Sequence, residues 1–471
     1  MMRMRTARLG LLLFVLPSFA AQAARAQSIH LPPHEKVVLK NGLTVLLLEK
    51  HGVPIISFYG ILKAGAAADP EGQEGLAAIT AGLLRKGTES RATQQFSADL
   101  DFIGGSFAAD ATADFTAISA ECLSKDVAKG LDLFADALLH PTFPKDEVDK
   151  LLAQTLDAVK GAKDDPQQVL APYYYAYLYS GRGYGRSEDG DEISLPKIQR
   201  AAVSRFYANY YAPGNMILAV AGDFQPADMK KRLADVFGGW LGKLTPALKI
   251  AATAPVKGKR LLLVDKPDAT QTYFAFGNIG ISVEDPDRVA IRVVNTVFGE
   301  RFTSMLNEAL RIESGLTYGA QAGFDARKLP GPFVIESFTK NETTTQAIDL
   351  ALQVLAKLRK DGITAAQLAS AKNYIKGQFP PEIETSGALA RRIASDEFYG
   401  LDDSEVNQLE ARVDAVTLET ARQVIQKHYP SENLVFMLIG NASAIGPAVR
   451  KYAEKQDARK ITEPGFWPAG K

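Results

Sequence analysis

The chain has 471 residues, of which 46% are apolar, and its 54 basic side chains balance 54 acidic ones. This length predicts two to four domains, and the apolar fraction is sufficient for large hydrophobic cores. The zero net charge gives no sign of the basic surface that nucleic-acid binding requires. Cys122 is the single cysteine, so the sequence predicts no internal disulfide.

The N-terminus has the features of an export signal. Three arginines precede an apolar run at residues 9–19, which is too short to span a bilayer comfortably, and residues 24–26 read A-R-A, a cleavage signal. We therefore expect a signal peptide at residues 1–26 and export to a bacterial periplasm; an uncleaved membrane anchor is the alternative. Removing the four arginines of this segment from the 54 basic residues leaves 50 against 54 acidic ones, a net charge of −4.

The predicted elements of the first half begin with a hairpin, because Asn41-Gly42 separates two strand-like runs at residues 36–40 and 43–49. A later helix is predicted to start at Ser124, whose hydroxyl would cap it, and to end before Pro141. A buried strand at residues 216–221 closes the half. The other predicted strands are residues 55–63, 106–112 and 114–123, and the other helices are residues 73–86, 93–103, 145–163, 167–179, 194–211 and 226–237.

The second half repeats this order. Its closing strand, residues 433–439, is followed by Gly440 just as the strand at 216–221 is followed by Gly222. The other predicted strands are residues 261–264, 270–276, 318–326 and 331–339, and the helices are residues 284–298, 302–312, 343–360, 365–378, 386–399, 417–428 and 444–455.

This sequential order of strands and helices predicts an α+β fold, built from two homologous halves that each hold a mixed or antiparallel sheet with helices packed on one face. The first domain is predicted at residues 27–245 and the second at 259–471. The segment between them, 246–258, is rich in Pro, Ala and Lys, which favours a linker. A run of tyrosines on the predicted helix 167–179 is interpreted as core and interface.

Three positions of one predicted helix, residues 73–86, are preceded by Gly65, Asp69, Glu71, Gly72, Gly75 and Leu76 and followed by Lys86, Gly87 and Thr88. This set of flanking residues resembles the insulinase/pitrilysin-type metallopeptidases. In that family this segment carries the inverted zinc motif H-x-x-E-H. Two imidazoles at i and i+4 share one helix face and hold a zinc ion, and the carboxylate at i+3 serves as the base. Here the three positions are Ala78, Ala81 and Gly82, which offer neither a ligand atom nor a base.

The resemblance places a third zinc ligand, a Glu, near residues 155–159. Asp157 is the only carboxylate there, and one carboxylate does not make a zinc site. We therefore predict no metal in this chain, and an ordinary amphipathic helix at the degenerate motif.

A second motif resembles the signature of the family's second domain, R-x-x-x-G-L-x-Y. Arg311 and Tyr318 keep its spacing of seven, with Gly315 predicted to break the helix between them and Tyr318 to begin the next strand. The resemblance implies that this pair hydrogen-bonds the substrate carbonyl near the scissile bond. Preorganised donors at that oxygen typically contribute about 10²–10³ in rate each. A helix C-terminal cap by Arg311 and a surface position for Tyr318 form the alternative.

Together the two motifs predict a divided enzyme. The family contains heterodimers in which one subunit bears zinc and the other bears the Arg/Tyr pair, with a layout similar to the mitochondrial processing peptidase. The resemblance therefore implies two halves arranged as a clamshell, and a homologous zinc-binding subunit as partner. Phe107, Ala108, Ala109 and Asp110 resemble the family's substrate-binding edge strand, where a peptide would add as a further strand. A plain paired strand is the alternative there.

A different class of function stays open. The chain could be a catalytically inert scaffold or peptide-binding protein of the same fold, since zinc-free relatives serve as structural subunits. The stretch at residues 298–302 has one Gly where the non-catalytic subunit of the processing peptidase carries a glycine-rich loop. Hydrolysis by this chain alone is the least favoured interpretation.

Overall fold

A computed structural model describes residues 30–242 and 252–467 of the chain. The predicted signal peptide and residues 246–251 of the predicted linker lie outside the described residues. Among the helices of the described part, none combines the length and the apolar character needed to cross a bilayer.

The first half forms a six-stranded sheet in the order β1-β2-β6-β3-β5-β4. Its strands are β1 (Glu35–Val38), β2 (Thr44–Glu49), β3 (Ile55–Leu62), β4 (Ser106–Ala111), β5 (Thr116–Leu123) and β6 (Met216–Gly222). Its helices are α1 (Leu76–Leu83), α2 (Thr93–Phe102), α3 (Val127–Leu139), α4 (Lys145–Ala162), α5 (Pro166–Leu178), α6 (Arg200–Tyr210) and α7 (Pro226–Phe237).

The second half forms another six-stranded sheet, in the order β12-β7-β11-β8-β10-β9. Its strands are β7 (Arg260–Asp265), β8 (Gln271–Ile279), β9 (Ala320–Phe324), β10 (Pro332–Lys340), β11 (Val435–Gly440) and β12 (Lys455–Lys460). Its helices are α8 (Arg288–Asn295), α9 (Met305–Asn307), α10 (Thr344–Asp361), α11 (Ala365–Glu382), α12 (Ser386–Tyr399), α13 (Ser404–Asn407), α14 (Leu409–Ala415), α15 (Leu418–His428) and α16 (Ala442–Val449).

The two sheets share one topology over five of their six strands. In each, the closing strand of the half lies at the centre, parallel to one neighbour and antiparallel to the other: β6 pairs with β2 and β3, and β11 pairs with β7 and β8. The predicted α+β fold of two homologous halves is confirmed. The predicted hairpin at Asn41-Gly42 is also confirmed, since β1 and β2 pair antiparallel and Gly42 has a φ of 92°.

Both faces of each sheet are buried. β6 and β11 are buried at every residue, as expected for strands covered on two sides. One face carries helices of the same half, such as α3 on β5 and α10 on β10. The opposite face receives a helix from the other half: α5 packs on β8 and β11, and α12 packs on β3 and β6. The halves are therefore joined by a reciprocal exchange of helices.

The tyrosines of α5 explain why this helix suits the face of the second sheet. Tyr173, Tyr174 and Tyr177 are buried in the core. Their hydroxyls still find partners, because Tyr177 donates to Asp457 Oδ2 at 2.8 Å and Tyr174 donates to the Phe333 carbonyl at 3.3 Å. The interpretation of the tyrosine run as core and interface is confirmed.

Two details differ from the sequence-based expectations. Ser124 does not cap a helix: it lies in a 3₁₀ turn, its Oγ donates to Asp223 Oδ2 at 3.2 Å, and α3 begins only at Val127. The predicted helix 444–455 ends early, because α16 stops at Val449 and the chain continues into β12. That strand pairs parallel with β7 at the edge of the sheet.

The segment after β12 folds back on the exchanged helix α5. Lys163, at the end of α4, is buried and forms an ion pair with Glu192 at 2.5 Å. Its Nζ also donates to the Glu463 carbonyl at 2.8 Å. Phe466 meets the ring of Tyr173 edge-on, with the centroids 5.0 Å apart. The C-terminal residues of the described chain thus contact α5 through Tyr173 and the end of α4 through Lys163.

Candidate functional site

The helix of the degenerate motif is fixed at its N-terminus by a buried carboxylate. Asp69 accepts hydrogen bonds from the backbone N–H groups of Gly75 and Ala77, both at 2.8 Å, and so satisfies donors that the helix leaves unpaired. Gly75 has a φ of 91°, and a Cβ there would lie 2.8 Å from the backbone of Asp189. These constraints start α1 at Leu76, three residues later than predicted.

Burial of Asp69 predicts a measurable pH dependence of stability. Desolvation raises its pKa to about 7, although the backbone hydrogen bonds act in the opposite direction. In the unfolded chain the Asp69 carboxyl titrates near pH 3.9. The contribution of Asp69 to stability is therefore complete below that pH and is lost as the pH rises from there through about 7. Between pH 5 and 7 we expect the free energy of unfolding to fall by about 1.4 kcal/mol per pH unit from this group.

Asp69→Asn isolates this contribution. In urea unfolding at pH 5, 6 and 7, the free energy of unfolding should fall less steeply with pH for the variant than for the parent, because the amide does not titrate. Identical slopes for the two proteins would show that Asp69 is ionised throughout this range.

The face of α1 that would hold a metal packs toward α4 instead. Ala78 and Gly82 are half-buried and Ala81 is buried, and a Cβ placed on Gly82 would lie 3.1 Å from a methyl group of Leu151 on α4. Asp157, in the region of the expected third ligand, is exposed on α4. The residues present do not fit zinc, because none of the three motif positions supplies a ligand atom and a leucine lies against the motif's last position.

Arg311 lies at the end of an unusual helix. Two π-helical segments, Thr296–Glu300 and Glu308–Glu313, flank the short α9, and π-helical turns are frequent at functional sites. The guanidinium of Arg311 stacks 4.6 Å from the ring centroid of Phe302. Among the described residues it forms no ion pair with a carboxylate. Its charge is therefore available to a ligand.

Tyr318 follows in a turn rather than in a strand. Gly315 has a φ of 63° and ends the helical segment, as predicted, but β9 begins at Ala320. The Thr317 hydroxyl accepts the N–H of Gly319 at 3.1 Å and shapes this turn. The side chain of Tyr318 is 79% exposed. Arg311 and Tyr318 thus belong to one segment and both remain free to contact a ligand.

The edge strands of the two sheets differ in their readiness to pair. On β9, the Asn307 side chain accepts the N–H of Ala320 at 3.0 Å, and the Asn295 side chain donates to the carbonyl of Ala322 at 2.9 Å. These side chains occupy backbone groups that an added strand would need. The last residues of α8 and α9, each followed directly by a π-helical segment, are thereby linked to the strand after Tyr318.

The corresponding strand of the first half is β4, and its backbone lacks such side-chain hydrogen bonds among the described residues. Within the described part of the chain, no side chain hydrogen-bonds to the backbone of Phe107, Ala108, Ala109 or Asp110. Ala108 and Asp110 are exposed and Ala109 is half-buried, whereas Phe107 is buried with its ring centroid 5.8 Å from that of Phe96. Phe107 can therefore offer a peptide only its backbone.

Comparisons with known proteins agree with this architecture. Residues 45–190 match the family model described as Insulinase (Peptidase family M16), and residues 197–375 match the one described as Peptidase M16 inactive domain. The chain is 26% identical over 385 residues to an uncharacterized zinc protease of Mycobacterium tuberculosis, covering 80% of this chain and 85% of that protein. An uncharacterized zinc protease of Bacillus subtilis is 22% identical, over 84% of this chain and 96% of its own length.

Solved structures show the same fold. A peptidase M16 inactive domain from Pseudomonas fluorescens superposes with a TM-score of 0.81 at 26% identity, covering 87% of this chain and 98% of that one. A protease from Helicobacter pylori also gives a TM-score of 0.81, at 20% identity, over 87% of this chain and 100% of that one. With two family models aligned in succession and a shared two-sheet fold, the chain belongs to the insulinase, or M16, family of peptidases.

Proposed function

We propose that this chain is the non-catalytic subunit of a periplasmic heterodimeric zinc metallopeptidase. It supplies Arg311 and Tyr318, which bind the substrate carbonyl at the zinc site of a homologous partner subunit. One observation carries the proposal: the helix face that holds the metal in the family is reduced to Ala78, Ala81 and Gly82, while the Arg311 guanidinium has no carboxylate partner among the described residues.

The chemistry of the two donors supports this division. A peptide carbonyl gains negative charge as it is attacked, and a positioned guanidinium and phenol stabilise that charge most where water is excluded. Arg311 is held by its stacking on Phe302, so little side-chain freedom is lost when a substrate arrives. The exposure of Tyr318 leaves its hydroxyl within reach of a partner surface.

Reconstitution tests the proposal. The chain would be co-expressed with a homologous subunit that carries an intact H-x-x-E-H motif, chosen by co-purification from the native host. We expect peptide hydrolysis by the mixed complex and none by either subunit alone. Activity of the zinc subunit that does not change on addition of this chain would contradict the shared site. Fractionation of the host should place the chain in the periplasm.

The alternative is a catalytically inert scaffold or peptide-binding protein. The peptide-binding form is favoured by the edge strand β4, because no side chain among the described residues hydrogen-bonds to its backbone at residues 107–110. Strand addition uses the backbone of the incoming peptide. We therefore expect an extended peptide that binds the isolated chain to lose at least about tenfold in affinity when alternate backbone amides are N-methylated. Fluorescence anisotropy with the two matched peptides measures this. Equal affinities would mean that the backbone of the peptide is not what this protein recognises.

A further inference from the structure

A pocket of about 370 Å³ lies beside Arg311, between the first turns of α5 and the face of the second sheet. We call it the β10 pocket. The lining residues used below are Tyr273, Glu300, Arg311, Gln321, Glu336 and Phe338.

Strand geometry explains why these side chains meet. Glu336 and Phe338 are two residues apart on β10 and therefore point to the same face of the sheet. Tyr273 of β8 is the register partner of Phe338, and Gln321 of β9 is the register partner of Glu336. The exchanged helix α5 packs on β8 and β11, so the outer part of this face, at β10 and β9, remains open as the pocket.

The charges around the pocket are unbalanced. Gln321 donates a hydrogen bond to Glu336 Oε1, and the Thr296 hydroxyl donates to Glu300 Oε2 at 2.8 Å. In the described part of the chain neither carboxylate has a lysine or arginine partner. Of the described residues that line the pocket, Arg311 is the single cation. Burial raises the pKa of Tyr273, and the charge of Asp165 raises it further. Asp165 is therefore a third carboxylate near the pocket.

The floor of the pocket is aromatic. The rings of Tyr273 and Phe338 stack with centroids 5.3 Å apart and an angle of 19° between their planes. A stacked pair presents electron-rich ring faces, which attract an ammonium or guanidinium group. Glu336 lies two residues before Phe338 on the same face of β10. Its carboxylate can therefore accept hydrogen bonds from the charged end of such a side chain.

We propose that the β10 pocket binds a lysine or arginine side chain of an extended peptide. The inference rests on the proposed function, because Arg311 borders the pocket and would hold the carbonyl next to this basic residue. The pocket then selects which peptide bond of the substrate is presented to the partner's site.

The test uses the isolated chain and two fluorescein-labelled pentapeptides, Ala-Ala-Arg-Ala-Ala and its norleucine analogue. We expect the arginine peptide to bind about tenfold more tightly at low salt, and the preference to shrink in 0.5 M salt. Glu336→Gln and Glu300→Gln should each reduce the preference without lowering the melting temperature. Glu313→Gln, an exposed change on the segment that carries Arg311, is the control.

Equal binding of the two peptides, no measurable binding of either, or an unchanged preference in Glu336→Gln would overturn the assignment. The experiments distinguish a failure of the pocket proposal from a failure of the shared catalytic site. A missing charge preference together with a mixed complex that depends on Arg311 would reject the pocket alone. A preserved preference in a chain that adds no activity to any zinc subunit would reject the shared site alone.

Discussion

Replacing Arg311 by alanine is expected to lower the kcat of the mixed complex by about 10²–10³. In the proposed role the guanidinium would stabilise charge that develops on the substrate carbonyl only as the bond is attacked, and this stabilisation would be lost. Arg311 has no ion pair among the described residues, so its removal leaves no buried charge behind. Steady-state kinetics with a quenched fluorescent peptide measures the effect, and Tyr318→Phe tests the second donor by removing one hydroxyl.

The control for Arg311→Ala is Arg450→Ala, an exposed arginine of the same half. Both variants should assemble with the zinc subunit to the same extent in size-exclusion chromatography. We expect kcat to fall in the first variant alone, with a smaller change in KM. A complex of Arg311→Ala that retains full kcat would show that the arginine does not act at the substrate.

Lys163→Ala is expected to lower the free energy of unfolding by about 3–5 kcal/mol. The ammonium is buried and pairs with Glu192, whose side chain is 13% exposed. Burial is the largest influence on Glu192 and disfavours its charged form, but the hydrogen bond from Lys163, the backbone N–H of Gly465 and the charge of Lys163 act together against it. The pKa of that carboxyl therefore lies below its usual range. Removing the lysine leaves this buried charge without its cation, although the N–H of Gly465 still donates to it at 2.9 Å. The carbonyl of Glu463 loses one of its donors and keeps the bond from Arg459.

Urea unfolding of a second variant separates charge from packing. In Lys163→Ala/Glu192→Gln the uncompensated charge is gone, so a substantial part of the lost stability should return. Lys145→Ala, an exposed lysine at the start of the same helix, should cost less than about 0.5 kcal/mol. A loss below about 1 kcal/mol for Lys163→Ala would mean that the C-terminal segment does not contact the end of α4 as described.

Much of the fold follows from local patterns. The closing strands were recognisable because β6 and β11 are short apolar runs bounded by Gly222 and Gly440, and such runs are typical of strands buried on both faces. The repeat of these runs predicted the two homologous halves. The motif positions on α1 and the Arg311–Tyr318 spacing were also visible in the sequence, because each lies within one short segment.

Long-range features escaped prediction for physical reasons. β12 reads K-Q-D-A-R-K, which lacks apolar alternation because an edge strand is held mainly by backbone pairing with β7. The exchange of α5 and α12 was hidden because helical periodicity reveals an apolar stripe but not the surface on which it packs. The carboxylates of the β10 pocket come from separate elements, Glu300 from a π-helical segment and Glu336 from β10. The alternation of Glu336 and Phe338 was the one available signal.

The structure also distinguishes what each half can offer a peptide. In the described part of the first half, no side chain hydrogen-bonds to the backbone of residues 107–110 on β4, whereas in the second half Asn295 and Asn307 occupy the edge of β9. A peptide that pairs with β4 would therefore meet the second half through side-chain contacts at Arg311 and the β10 pocket. This arrangement suits a subunit that positions a substrate and leaves bond cleavage to a partner.

Hydrolysis by the purified chain alone tests the central claim most directly. The measurement combines the zinc content of the isolated protein with its activity on a mixed peptide library, with and without a chelator. We predict well under one zinc per chain and no chelator-sensitive cleavage, because Ala78, Ala81 and Gly82 supply no ligand. Near-stoichiometric zinc together with cleavage that the chelator abolishes would contradict a divided site.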